Sequence, residues 1–361
     1  MSTYAAEALG VAVAARVPVL LWGPPGTGKT SAIRAMADAM QLPCETVIAS
    51  IREPSDFAGL PIVVGDSVRF APPLWASRLK EAGRGVLFLD ELSTAPPAVQ
   101  AALLRVVLER TVGDLTLPPE VAIVAAANPP EQAADGWDLS APLANRLCHL
   151  SWETSPRAVA EGLAAGFDPP HVPFLPDGWE AEEHLSRGLV AAFLHARPPL
   201  AIAPPSDASA AGKGWPSPRT WEMTARLMAA AGACGASEQA RAELVRGAVG
   251  DGAAVEFLTW LLEMDLPDPE AVLADPASFV LPERGDRAYA ALASIAAAVA
   301  AQPDAERWAA GWRVLGTVAD KVPDIAAVAA RTLARCRPAG APLPAEIKLF
   351  APLLRSAGLL T

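Results

Sequence analysis

Residues 23–30 read Gly23-Pro24-Pro25-Gly26-Thr27-Gly28-Lys29-Thr30, a glycine-bounded spacing that ends in lysine and threonine. Successive backbone N–H groups in such a loop, at the start of a helix, form a nest for anionic oxygens. Glycines let the backbone approach phosphate closely. Lys29 would bridge the β- and γ-phosphates of a nucleotide, and the Thr30 hydroxyl would ligate magnesium. By average residue usage the spacing arises by chance in about one chain of this length in a hundred.

Sixty residues on, "VLFLDE" ends in two acids, Asp90 and Glu91. After a phosphate loop, the first acid would hold the magnesium shell and the second would polarise the attacking water as general base. "VAIVAAANPP" ends in Asn128, whose amide could donate to a γ-phosphate or position that water, or could cap the turn into Pro129-Pro130. Two arginines complete the candidates. Arg146 lies in "PLANRLCHL" and Arg219 in "WPSPRTWEM". An arginine brought to a neighbour's γ-phosphate stabilises charge in transfer and can be worth about 10³–10⁵ in rate. Taken singly, each arginine is more often an ordinary surface or salt-bridged residue.

These residues need elements to position them. "VPVLLW" reads as a buried strand, and Ile33, Met36, Ala37 and Met40 recur at helical spacing after the loop. "ETVIAS", "GVLFLDE", "EVAIVAAANPP" and "LCHLSW" are further strand candidates, with a helix at "PPAVQAALLRVVLER". Strands apolar on both faces that alternate with helices imply a parallel sheet covered on both sides. Ligands then sit beyond the carboxyl ends of the strands, where the glycine loop, Asp90-Glu91 and Asn128 fall. Leu60–Phe70 reads as a hairpin about a Gly65-Asp66 turn. Beyond about residue 155 the strand signal fades into helices. A Pro/Ala/Ser-rich loop at Arg197–Arg219 interrupts them, and further breaks fall at "DLPDPE", "LPERGD" and "CRPAGAPLP".

The 361 residues predict two or three domains. A net charge of −11, from 29 basic and 40 acidic residues, argues against nucleic-acid backbone binding as the main task. Cys44, Cys148, Cys234 and Cys336 lie far apart, with no metal-ligand spacing, and read as buried reduced thiols. The N-terminal stretch lacks a basic start and carries Glu7 and Arg16, unlike a signal peptide. Tyr289–Gln302 is too short to span a bilayer. A cytoplasmic protein with no membrane segment is the expectation.

The ordered series "GPPGTGKT", "PSDFAGLP", "FAPPLW", "GVLFLDELSTAPPAVQAALLRVVLE", "VAIVAAANPP", "LANRL" and "SPRTW" resembles the AAA+ ATPases, and within them the MoxR family with its CbbQ- and CoxD-like members. The resemblance covers about residues 1–225. It implies an α/β fold, an AAA+ P-loop parallel-sheet core followed by an all-helical lid and a C-terminal helical module. The divisions would be 1–155 for the core with its insert hairpin at about 60–70, 156–264 for the lid, and 265–361 for a helical region of unmatched role. ATP and Mg2+ are the implied cofactors.

Residues Gly23, Pro25, Gly26, Thr27, Gly28, Lys29, Thr30, Ser31 and Asp90 would bind nucleotide, with Thr30 and Asp90 on the magnesium. By the resemblance Lys29 and Thr30 belong to Walker A, and Asp90 and Glu91 to Walker B. Asn128 matches sensor 1, Arg146 the arginine finger, and Arg219 sensor 2 on the lid. Glu91, Asn128, Arg146 and Arg219 would be the catalytic set. Arg219 would couple the lid angle to the γ-phosphate of ATP bound between core and lid. Arg105 and Arg110 also lie on a helix that could face a neighbour. "RTVGDLTLP" looks like the hairpin that precedes sensor 1.

The family implies hexameric rings that remodel or activate a protein partner, typically one with a von Willebrand factor A domain. A DNA-acting AAA+ motor and a slow-turnover nucleotide-dependent scaffold are the alternatives. The acidic balance opposes the first, and the intact Asp90-Glu91 pair opposes the second.

Overall fold

The computed structural model describes residues 3–129, 137–167, 170 and 172–360. Pro130, the end of one apolar run, lies outside them. The chain forms two compact units, one of residues 1–176 with 202–255, the other of residues 177–201 with 256–361.

The first unit is built on five parallel strands: β1 (Val19–Trp22), β2 (Cys44–Ile48), β5 (Arg84–Asp90), β8 (Glu120–Ala127) and β9 (Cys148–Ser151). Two antiparallel hairpins complete the strands, β3 (Leu60–Val64) with β4 (Ser67–Ala71), and β6 (Thr111–Val112) with β7 (Leu115–Thr116). The sheet order is β2-β5-β8-β1-β9. Leu20, Leu87, Ile123 and their neighbours are closed to solvent on both faces, as the unbroken apolar runs require. Burying each such side chain contributes about 1.5–3 kcal/mol.

The helix Lys29–Ala39 buries Ile33, Met36 and Ala37. Pro97–Glu109 starts with proline at its first turn, where the missing N–H costs nothing. An additional helix, Thr3–Ala14, precedes β1. Its even spread of alanine and valine carries no helical stripe, so periodicity does not reveal it. The long loop at 197–219 is not structureless. It holds a 3-10 turn at Pro198–Ala201 and a helical turn at Ala208–Ala211. These are too short for a periodic signal.

Helices Pro218–Ala233 and Glu238–Val249 belong to the first unit. Ser217 and Ser237 cap them through bonds to the third backbone N–H, and Ser217 with Thr220 forms a full capping box. Helix 238–249 lies on β9 at Gly247, where a Cβ would come within 2.4 Å of the His149 carbonyl.

The second unit is helical: Glu183–Ala196, Pro269–Ala274, Gly285–Ala301, Ala305–Val318, Pro323–Arg335 and Ile347–Ser356, with the end of Asp251–Leu262. The alanine-rich helix 285–301 is buried along most of its length. Gly188 of helix 183–196 meets Ala293 so closely that an added Cβ would lie 3.2 Å from the Ala293 methyl. Trp308 and Trp312 are fully buried, and the Trp308 indole donates to the Leu333 carbonyl at 2.7 Å. Cys148 is fully buried and the other three cysteines partly so, all four free. Among the described residues no helix is long and apolar enough to cross a membrane.

His149 of β9 stacks on Trp22 of β1 with rings 6.2 Å apart. Trp22 Nε1 donates to its Nδ1 at 2.9 Å, so Nδ1 must be unprotonated, and Nε2 faces the Ala144 carbonyl at 2.9 Å. Burial pulls the imidazole from 6.5 to about 4. Between those values the unfolded chain binds a proton that the folded chain excludes. Stability is therefore full above pH 6.5 and is lost as pH falls toward 4. His149→Gln, which can keep one acceptor and one donor without titrating, should show a smaller fall in melting temperature over that window. Identical pH dependence in the two proteins would refute the assignment.

Candidate active site

Three adjacent strands deliver the site. In the order β5-β8-β1 their carboxyl ends carry Asp90, Asn128 and Gly23, spaced by one strand separation of about 4.8 Å each. The Gly23 N–H donates to the Ala127 carbonyl at 3.2 Å, which seats the loop on the end of β8. A Cβ at Gly23 would lie 2.4 Å from the Trp152 carbonyl oxygen, so only glycine fits there. Gly26 and Gly28 adopt φ of 76° and 84° and place no Cβ against a neighbour. The segment after β9 braces the loop: Trp152 Nε1 and Thr154 Oγ1 both donate to the Thr27 carbonyl, at 3.3 and 3.2 Å.

Lys29 is 7% exposed. Its Nζ donates to the carbonyls of Gly23 (2.6 Å) and Pro24 (2.9 Å) and to Asn128 Oδ1 (3.0 Å). Burial lowers its pKa, and the nearby Asp90 carboxylate opposes this. Accepting from Lys29 through Oδ1 leaves the Asn128 amide N–H groups as donors for another oxygen.

Thr30 Oγ1 donates to Asp90 Oδ2 at 2.9 Å. A hydroxyl and a carboxylate held together are hard oxygen donors suited to Mg2+, which takes few protein ligands and keeps its waters. Among the described residues no group of three or more His, Cys, Asp or Glu could form a closed metal site.

Glu91 adopts the left-handed conformation, φ 58° and ψ 41°, which costs a non-glycine residue about 1–2 kcal/mol. The strain is held by local bonds. Its amide donates to Asp90 Oδ1 at 3.0 Å, and Thr94 Oγ1 donates to its carbonyl at 2.9 Å. Its carboxylate accepts from Ser50 Oγ, beyond the end of β2. Ser93, 2% exposed, clamps Asn128 by accepting from its N–H at 3.3 Å and donating to its carbonyl at 3.2 Å. Ser50 and Ser93 carried no sequence signal, since a lone serine near a strand end is commonplace.

The two arginines lie together, and elsewhere. β1 and β9 run parallel with Val19 opposite Cys148 and Trp22 opposite Ser151. Gly23 leaves the carboxyl edge of the sheet, whereas Arg146 precedes the amino edge of β9. Four strand residues, about 13 Å along the strand axis, separate the two levels. Arg146 donates to the Pro142 carbonyl, and Arg219 Nη1 reaches Asn145 Oδ1 at 3.5 Å. Burial lowers the Arg146 pKa, and the Arg219 charge lowers it further. Among the described residues no carboxylate pairs with either guanidinium.

Of the alternative arginines, Arg110 is bonded within its own chain. Its Nη2 donates to the carbonyls of Pro118 (2.9 Å) and Val121, closing the β6–β7 hairpin onto β8. Arg105 is exposed and paired with Glu109 at 3.0 Å.

Residues 19–136 match the profile of the "ATPase family associated with various cellular activities (AAA)". The chain carries an AAA ATPase domain. That segment contains the glycine loop, Asp90-Glu91 and Asn128, while Arg146 and Arg219 fall beyond it. Among solved structures, a "putative ATPase" from Cytophaga hutchinsonii ATCC 33406 is similar, with 17% identity, a TM-score of 0.46, and coverage of 72% of this chain and 88% of that one. A likeness that distant carries no argument about activity. No curated protein matches the sequence.

The buried lysine of the AAA domain makes a prediction. Phosphate oxygens arriving at Nζ favour the ammonium, so its lowered pKa rises on binding. ATP binding should take up more protons as pH is raised toward the ordinary lysine value of 10.5, seen by calorimetry as an enthalpy that varies with the buffer's ionisation heat. Lys29→Met should abolish that dependence, and its persistence in the variant would remove Lys29 from the role.

Proposed function

We propose that this protein is a MoxR-type, Mg-ATP-hydrolysing AAA+ ring that remodels or activates a protein partner. The observation that carries the reading is the separation of two charged groups within one subunit. The lysine, acids and asparagine stand at the carboxyl edge of the sheet, and the Arg146–Arg219 pair stands at the amino edge. On this reading a γ-phosphate on the loop is served by the arginine pair of another subunit. A head-to-tail neighbour would supply the pair, and such an interface repeats until the ring closes. Six subunits is the number the family resemblance implies.

At the composite site Lys29 and the loop N–H groups hold the phosphates, and the Asn128 amide orients the attacking water or the γ-phosphate. Bound Mg2+, held through Thr30 and Asp90, would neutralise charge on the β- and γ-phosphate oxygens. Glu91 takes the proton as the water oxygen bonds to the γ-phosphorus and the bond to the β,γ-bridging oxygen breaks. ADP and phosphate leave. With its carboxylate on Ser50, Glu91 rests in a hydrogen-bonded position that it must leave to act.

The partner-facing element is the β3–β4 hairpin. Leu60, Ile62, Val63, Val64, Val68 and Phe70 are all exposed on it, and Val63 is 79% exposed. It is laced to the β6–β7 hairpin: the Phe70 N–H donates to Asp114 Oδ2 and the Asp114 N–H to the Phe70 carbonyl, each at 3.0 Å. A Cβ at Gly59 would lie 2.7 Å from Gly113 Cα. The two hairpins would therefore move together and carry nucleotide-driven motion to a protein, a von Willebrand factor A-domain partner being the one the resemblance implies.

Glu91→Gln should bind ATP with wild-type affinity and lose turnover by about 10²-fold or more. Ser50→Ala should raise basal turnover a few-fold by freeing the carboxylate. Arg146→Ala subunits should bind ATP yet be inactive alone, and mixing them with Lys29→Ala subunits should restore part of the rate. Absence of rescue in a well-formed assembly would refute sharing of the site between subunits.

A further inference from the structure

Two guanidinium groups near each other with no carboxylate between them repel, so something must hold Arg219 beside Arg146. We propose that Asn145 is a positioning residue that fixes Arg219 in this pair and so sets both arginines for one phosphate group. The proposal rests on the reading that the pair serves a neighbouring subunit's nucleotide.

Asn145 is 3% exposed and ends the helical turn Ala141–Ala144, immediately before Arg146. Its Nδ2 donates to the Trp215 carbonyl at 3.2 Å. Its Oδ1 accepts from Ser217 Oγ at 2.8 Å and faces Arg219 Nη1 at 3.5 Å. Chemistry dictates the orientation of the amide. A backbone carbonyl can only accept and a guanidinium can only donate, so NH2 must face Trp215 and the oxygen must face Arg219.

One buried side chain thus joins the segment that carries Arg146 to the start of the helix that carries Arg219. Ser217 is also the N-cap of that helix, so the same bond network sets where its first turn begins. The 3.5 Å contact to Arg219 lies at the limit of hydrogen bonding. It would tighten when phosphate draws the guanidinium into place, as contacts in ligand-free sites commonly do.

The energetic argument points the same way. The Arg219 charge disfavours the charged form of Arg146. An amide oxygen offers Arg219 a neutral acceptor.

The test compares Asn145→Ala with Asn145→Asp, each in the full chain under conditions where the protein assembles. It reads kcat, ATP affinity of the dilute subunit, and melting temperature. Asn145→Ala should lower kcat by about tenfold with subunit affinity for ATP unchanged. Asn145→Asp keeps the acceptor for Ser217 and Arg219 but loses the donor to Trp215, and it should stay within about threefold of wild type. A purely structural role predicts the opposite order, because an acid buried against a carbonyl disrupts folding more than alanine does. Rates in which Ala equals or exceeds Asp would overturn the proposal.

A double-mutant cycle completes the test. Asn145→Ala should add nothing to Arg219→Ala, and full additivity would overturn the positioning role alone. If Arg219→Ala by itself leaves turnover intact, the reading of the arginine pair has failed and the role of Asn145 falls with it. If Asn145→Ala does not fold, Asn145→Asp decides, since a tenfold loss with unchanged melting would overturn the proposal.

Discussion

Everything in the first unit depends on where β1 sits in the parallel sheet. Between β8 and β9, it has its carboxyl end beside Asn128 and its amino end beside the segment that carries Asn145 and Arg146. Parallel pairing makes these edges opposite in character. Strands end in loops that gather at one edge, and the return connections gather at the other. One chain therefore carries the glycine loop, Lys29 and Asp90 at one edge, and Arg146 with Arg219, paired with no carboxylate among the described residues, at the other.

Desolvation sharpens both halves. Lys29 is buried and bonded to three oxygens of its own surroundings, so its charge is costly until a better anion arrives. Arg146 is depressed by burial and by its neighbour Arg219. Both places gain by receiving negative charge, because the penalty has already been met in folding. The same folding places strain on Glu91, whose left-handed backbone aims its carboxylate toward Ser50.

Much of the fold was legible in the sequence. Unbroken apolar runs marked β5 and β8 because both of their faces are covered, and the Gly65-Asp66 turn marked the β3–β4 hairpin. The helix Thr3–Ala14 escaped because it is apolar all round, and the short turns within 197–219 because they are shorter than a period. Among the site residues, the loop and Asp90-Glu91 were legible because their spacing is local. Ser50, Ser93 and Asn145 were not, because their partners lie 41, 35 and 72 residues away in the chain.

By itself the sequence determined the local chemistry: a glycine loop shaped for phosphate, a strand that must end in two acids, and a strand that must end in an amide. These follow from backbone sterics and burial within a few residues, and a linear reading captures both. The tertiary structure alone decided the order of the strands, hence which ends adjoin. It decided that Arg110 is locked on backbone carbonyls and that Arg219 faces Asn145, the residue before Arg146. The physical reason is that sheet order and side-chain partnership are long-range: they are selected by packing among segments far apart in the chain, and no residue spacing records them.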